Sequence, residues 1–147
     1  MRAAFADPFW VLRLMRDEEI IASLAAWAGS AGIGSGMISG LGAMRDVILG
    51  YYDETSKAYL KREIPGPVEI LSLSGGVAGL EGRPYIHIHA AVSDREGRAW
   101  GGHLFRGTVT ATGELYVLPG RMVLQRLKDA AEPFFLLDLP QHPLEGA

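Results

Sequence analysis

The chain has 147 residues, of which 48% are hydrophobic, and a formal net charge of −3. This length and composition predict one folded domain with a buried core and exclude a disordered chain. The chain contains no cysteine, which excludes disulfides, thiolate metal ligands and a cysteine nucleophile. The acidic balance and the lack of a basic run disfavour nucleic-acid binding, because that binding depends on neutralising phosphates.

The targeting signals of secreted and membrane proteins are missing from this sequence. Its N-terminal residues lack the long apolar run of a secretory signal, and no stretch approaches the roughly 20 apolar residues of a membrane helix. Together with the lack of cysteine, this leads us to expect a cytoplasmic protein that does not enter the membrane.

In chain order, the first elements are a strand and a helix. Residues 9–15 are mostly apolar and predict the strand. Apolar residues then recur at helical spacing from about Glu18 to Ala28, with Asp17 as the expected N-cap. A glycine-rich run at 32–40 follows this helix rather than a strand, so it does not fit a dinucleotide-binding turn.

The remainder of the chain predicts mainly strands. The expected strands cover 46–52 and 58–64 as one hairpin, then 68–74, 85–92, 99–105, 107–117, 122–127 and 134–139, with a glycine-containing loop at 75–82. The predicted fold class is therefore α+β, a mainly antiparallel sheet of about seven strands with one main helix near the N-terminus. We expect a single domain over 1–147, with a core from about 10 to 139 and a C-terminal tail at 140–147.

The segment from Pro84 to Phe105 holds three of the four histidines. It predicts a β-hairpin, and the length of its turn decides where the histidines point. If Arg95, Glu96 and Gly97 form a three-residue loop, His89 lies directly opposite His103 and His87 lies diagonal to it, at Cβ distances of about 5 and 7 Å. A two-residue loop would turn His103 to the other face.

Three neutral imidazoles, His87, His89 and His103, are a suitable ligand set for zinc with an open fourth position. Copper, nickel and iron are alternatives. The other interpretation is a metal-free polar patch, whose histidines bond to neighbours or water, inside the channel of an oligomer. His142, in the C-terminal tail, is not an expected ligand.

Three further side chains are candidates for chemistry. Glu69 and Glu114 are candidates for a general base or a fourth metal ligand, and Arg106 for holding an anionic substrate. Each also has an ordinary interpretation as a solvated or ion-paired residue. The sequence alone does not decide whether the protein is an enzyme.

Five ordered motifs closely resemble the plants-and-prokaryotes conserved (PPC) domain, with a match from about residue 10 to 139. They are GLGAM (40–44), LGYYD (49–53), GPVEILSLSG (66–75), HIHAAVSD (87–94) and GGHL (101–104). The resemblance implies an α+β fold assembled as a homotrimer. Bacterial relatives of this kind are often described as DNA-binding, by association with plant members that also contain AT-hooks. In this chain the GRP core of such a hook, 82–84, lacks basic flanks.

The same fold class is similar to acetolactate decarboxylase, in which three histidines hold zinc. By that analogy, a metal would be carried over to His87, His89 and His103, although fold alone does not confer chemistry. We therefore expect a homotrimeric domain with a three-histidine zinc site that binds or acts on a small molecule. The alternative is a DNA-binding or transcription-regulatory module that acts through the trimer.

Overall fold

Nine strands and one helix form the described part of the chain, residues 1–139, in a computed structural model. The elements are β1 (Arg2–Ala6), β2 (Phe9–Leu14), α1 (Ile20–Ser30), β3 (Gly36–Asp53), β4 (Ala58–Ile64), β5 (Val68–Leu80), β6 (Arg83–Ser93), β7 (Ala99–Pro119), β8 (Gln125–Lys128) and β9 (Phe135–Asp138). The α+β class, the single helix and the single domain are confirmed. The tail at 140–147, with His142, lies outside the described residues.

The four long strands pair in a ring. β3 pairs with β5 and β7, and β6 pairs with the same two strands. Every strand pairing is antiparallel except one contact between β5 and β8, at Gly79 and Gln125. One face of these strands encloses the core, together with α1, and the other face points outward. Fully buried core side chains include Leu12, Leu24, Ile38, Met44, Leu73, Ile88, Val109 and Leu115.

The helix begins two residues later than the sequence predicts. Its N-cap is Glu19, whose carboxylate accepts a hydrogen bond from the Ala22 backbone N–H at 2.7 Å. Asp17, the expected cap, instead has a left-handed backbone with φ of 69°. Its backbone N–H donates to the carbonyl of Val109 in β7, so a tertiary contact fixes Asp17 before the helix begins.

β5 continues through residues that the sequence predicts as a loop. The strand extends to Leu80, and only Glu81 and Gly82 form the turn into β6. Its glycines have a packing role, because a Cβ on Gly75 would lie 2.0 Å from the carbonyl oxygen of His87. The loop prediction for 75–82 was wrong. Glycines are typical of turns, but they are also typical of places where two strands approach closely, and the sequence alone does not distinguish the two.

The sheet has nine strands, where about seven were expected. β1 is an additional outer strand next to β2. β3 is also longer than expected, because it begins in the glycine-rich run, at Gly36. The single helix within residues 1–139, α1, does not have the length and apolar character that a membrane crossing requires.

Candidate metal centre

The turn between β6 and β7 is the three-residue loop, the first of the two alternatives that the sequence leaves open. Asp94 pairs with Arg98 through a backbone hydrogen bond of 3.0 Å, and Gly97 has a φ of 77°. The Asp94 carboxylate accepts hydrogen bonds from the backbone N–H groups of Glu96 and Arg98, both at 2.9 Å. The Arg98 guanidinium and these backbone N–H groups hold the pKa of Asp94 below its usual value, against the effect of burial.

This turn sets the register of the histidine hairpin, which we define as residues 85–105. His89 lies directly opposite His103 in the ladder. The ring centroids of His87, His89 and His103 are 5.0 to 5.6 Å apart. One ring nitrogen from each histidine lies within 4.8 Å of the other two, and among residues 1–139 no carboxylate joins this group. The predicted clustering of the three side chains is therefore confirmed, and we call it the three-histidine site.

Aromatic side chains surround His103 on the outward face of the sheet. Its ring centroid lies 5.2 Å from that of Tyr59 and 4.6 Å from that of Phe105. Gly50 pairs with His103 in the neighbouring strand, where a Cβ would lie only 2.4 Å from the Phe105 ring. No sequence pattern assigns Gly50 to the site, yet its missing side chain leaves the space that the Phe105 ring occupies.

The surroundings keep two of the imidazoles neutral. Burial, together with the nearby His87, His89, Arg126 and Lys61, lowers the pKa of His103 to about 4. Burial also lowers the pKa of His87, with Arg126 and His89 acting in the same direction. Neutral imidazole is the form that coordinates a metal, so both rings carry a nitrogen lone pair at neutral pH.

The chemistry of the donor set fits a transition-metal ion. His103 Nδ1 is buried and has no hydrogen-bond partner within the described residues. An unsatisfied buried ring nitrogen costs free energy in the absence of a partner, and a cation held jointly with His87 and His89 would supply one. Three imidazole ligands without a carboxylate suit zinc, copper, nickel or iron better than magnesium or calcium.

A second hairpin covers the outward side of this site. The C-terminal hairpin, which we define as residues 125–138, comprises β8, β9 and their loop. Its Arg126 donates from Nη2 to His87 Nδ1 at 3.2 Å and lies 5.2 Å from the Tyr85 ring. Phe134 packs on Tyr52 with centroids 4.9 Å apart. The sequence predicts both strands of this hairpin, but nothing in their pattern indicates that they lie over the histidines.

The two acidic candidates lie far from the three-histidine site within the chain. Glu69 pairs with Ala43 and Ser93, about 17 Å along β5 from the residue opposite His89. Glu114 pairs with Arg13 and lies about 35 Å along β7 from His103. Within one chain neither carboxylate reaches the histidines, so a shared function would need another subunit.

Arg106 lies in a different surface cleft. It pairs with Ile48 in β3 and lines a cleft of about 720 Å³ together with Arg45, Glu63 and Pro67. No histidine lines this cleft. The structure therefore places Arg106 apart from the three-histidine site and brings Arg126, which the sequence analysis missed, next to it.

The sequence profile of the Plants and Prokaryotes Conserved (PCC) domain matches residues 1–120. This chain belongs to the PCC domain family. The match confirms the family that the five motifs resemble and contains all three histidines. The C-terminal hairpin lies beyond the residues that the profile matches.

Two solved structures combine close structural similarity with moderate sequence identity. A metal-containing protein from Archaeoglobus fulgidus is 36% identical, with a TM-score of 0.81 over 87% of this chain and 91% of that one. A candidate DNA-binding protein from Ralstonia eutropha is 27% identical, with a TM-score of 0.85 over 94% of this chain and 96% of that one.

A curated relative contains a similar segment within a much longer chain. The bifunctional protein GlmU of Synechococcus is 32% identical over 108 residues, which are 73% of this chain. The matched segment spans only 16% of the length of that relative. The similarity therefore concerns one PCC domain and not the activity of the longer protein.

Proposed function

We propose that this PCC-domain protein binds a zinc-type transition metal through His87, His89 and His103. The observation on which the proposal rests is the convergence of three ring nitrogens within 4.8 Å, one of them buried without a partner. The description of the Archaeoglobus protein as metal-containing supports the proposal. The metal identity follows from ligand preference alone, with zinc favoured by three neutral imidazoles and an open fourth position.

The bound ion would coordinate a small ligand through the oxygen atoms of that ligand. A three-histidine zinc site polarises a carbonyl group or lowers the pKa of a bound water toward about 7. Tyr59 and Phe105 pack beside His103, and Arg126 of the C-terminal hairpin contacts His87, while the side chain of His89 stays exposed to solvent and to an incoming ligand. The expected similarity to acetolactate decarboxylase stays a prediction, and so does any enzymatic activity.

We also propose that the protein assembles as a homotrimer. The outward face of β3, β5 and β7 exposes four large apolar side chains, Met37 (57% exposed), Leu41 (52%), Leu71 (57%) and Tyr116 (46%). An apolar patch of this kind is typical of a protein interface. Light scattering after size exclusion should give three times the chain mass of 15.9 kDa, and a monomer would contradict the assembly.

Elemental analysis of tag-free protein after zinc incubation tests the metal site. We expect about one zinc per chain, and a loss of the zinc in His103→Ala, because two imidazoles do not form a stable zinc site. The matched control is His142→Ala, which should keep the full zinc content. A wild-type content below about 0.2 per chain, or an unchanged content in His103→Ala, would contradict the site.

Direct DNA binding is the second candidate function, because the Ralstonia neighbour is described as a candidate DNA-binding protein. The net charge of −3 argues against it, since phosphate neutralisation dominates non-specific affinity. We expect no binding to duplex DNA even at low salt. Binding that weakens steeply as salt increases would instead favour the DNA function over the metal function.

A further inference from the structure

Arg126 has a contact with the three-histidine site that metal binding would break. The Arg126 guanidinium can only donate hydrogen bonds, so the Nδ1 lone pair of His87 accepts this one. A neutral imidazole has one lone pair and one N–H group. If His87 binds a metal through Nδ1, the lone pair is no longer free. If it binds through Nε2, Nδ1 carries a proton and becomes a second donor facing Arg126.

Whichever ring nitrogen of His87 binds the metal, Nη2 of Arg126 loses its hydrogen-bond acceptor. Nη1 of Arg126 stays anchored, because it donates to the Phe135 carbonyl at 2.7 Å. Nε is buried and has no partner among residues 1–139. Nε and the released Nη2 form one edge of the planar guanidinium group, with their N–H bonds parallel. Two parallel N–H donors in this arrangement match the two oxygens of a carboxylate.

The charges around the site point to the same ligand. Within the described part of the chain, Arg126 forms no ion pair, and Lys61, whose Nζ lies 4.3 Å from the Phe105 ring centroid, forms none either. Glu132, a carboxylate of the C-terminal hairpin, is already bound to Tyr52 and Lys57. A divalent cation added next to two unpaired cations needs an anion for charge balance.

We propose that Arg126 binds the carboxylate of a small organic ligand at the three-histidine site, through the edge formed by its Nε and Nη2. The proposal rests on the proposed metal function and adds a ligand class to it. Tyr85, under the guanidinium, and Phe135, 6.3 Å from Tyr85, provide aromatic surface for an apolar ligand body. A tetrahedral inorganic anion has no apolar body to contact this surface, and it fits the flat two-donor edge less well than a planar carboxylate does.

Calorimetric titration of zinc-loaded protein with acetate and benzoate tests this assignment, with inorganic phosphate as the comparison anion. We expect at least one carboxylate to bind the wild type more tightly than phosphate. In Arg126→Met, which keeps an apolar stem without donors, carboxylate affinity should fall about tenfold or more, the typical value of a charge-assisted hydrogen-bonded pair. Arg126→Lys keeps the charge but not the two-donor edge, so its carboxylate affinity should lie between those of the wild type and Arg126→Met.

The matched control is Lys128→Gln, which removes an exposed cation of the same strand and should bind carboxylate like the wild type. Zinc content is measured on every sample. About one zinc per chain with equal carboxylate affinity in wild type and Arg126→Met would overturn the role of Arg126 and leave the metal site standing. Phosphate binding tighter than carboxylate would overturn the ligand class, and absence of zinc in the wild type would instead overturn the metal function.

Discussion

Two hairpins meet at the three-histidine site, and they are held in the fold by different means. The histidine hairpin lies within the ring of long strands, and Ile88, between two of the histidines, is fully buried. The C-terminal hairpin shares one ladder pair with β5 and exposes Leu127, Leu136 and Leu137. The core therefore fixes the ligand geometry, while the cover of the site is attached by a few side-chain contacts.

This difference has a functional consequence. Segments with few buried apolar contacts open at a lower free-energy cost than the global unfolding of the domain. We therefore expect the C-terminal hairpin to separate from the histidines at a lower free-energy cost than the strands that position the imidazoles. The PCC profile contains the three histidines and ends before this hairpin.

The largest expected contrast is in stability. Ile88→Ala removes a fully buried side chain from the histidine hairpin and should lower the free energy of unfolding by about 2–5 kcal/mol. Leu136→Ala removes a side chain that is 48% exposed in the C-terminal hairpin and should cost less than about 1 kcal/mol. Urea unfolding of both variants measures the difference. Equal losses would show that the C-terminal hairpin is part of the core.

A pair of glycine variants tests the same contrast in backbone packing. A Cβ on Gly75 would lie 2.0 Å from the His87 backbone carbonyl, which cannot move without shifting β6. Gly75→Ala should therefore cost about 1–3 kcal/mol and reduce zinc content, as overpacking does in cores. In Gly79→Ala the new methyl group meets only the side chain of Gln125 in β8, which can rotate away.

Gly79→Ala should accordingly keep its zinc and lose less than about 1 kcal/mol of stability. The two variants introduce the same group into the same strand, so strand propensity does not distinguish them. Elemental analysis and urea unfolding are the measurements. A Gly79→Ala protein as unstable as Gly75→Ala would show that the C-terminal hairpin is as rigidly attached as β6.

The smallest effect is a shift in a tyrosine titration that reports on the attachment of the C-terminal hairpin. Burial and the hydrogen bond to Glu132 raise the pKa of Tyr52 to about 12. The folded state thus favours the neutral phenol, and this stabilisation is present below pH 10 and is lost as the pH rises through about 12. In Glu132→Gln the pKa of Tyr52 should fall toward its ordinary value of about 10.

Ultraviolet absorbance during alkaline titration measures this change, and Tyr52→Phe identifies the signal by removing it. Lys57 also binds Glu132, so Lys57→Ala is the control for loss of an ion pair without loss of the phenol's acceptor. In Lys57→Ala the pKa of Tyr52 should stay raised. An unchanged Tyr52 pKa in Glu132→Gln would contradict the contact between β3 and the C-terminal hairpin.

Local chemistry explains why the three-histidine site could be predicted. Asp94 caps its own turn and Gly97 adopts the left-handed conformation, so residues of the turn itself select the three-residue loop over the two-residue alternative. Once the loop length is known, side-chain alternation places His87, His89 and His103 on one face. The helix boundary was less accurate, because a contact of Asp17 with β7, distant in sequence, decided it.

The sequence by itself determined the fold class and the family and named the three candidate imidazoles, because these follow from periodicity, motifs and short-range turn chemistry. Only the tertiary structure placed Arg126 over His87 and separated Glu69, Glu114 and Arg106 from the site. Those placements depend on how far β5 and β7 extend and on where a terminal hairpin docks. Both are set by packing between residues remote in the chain, which leaves no local signal.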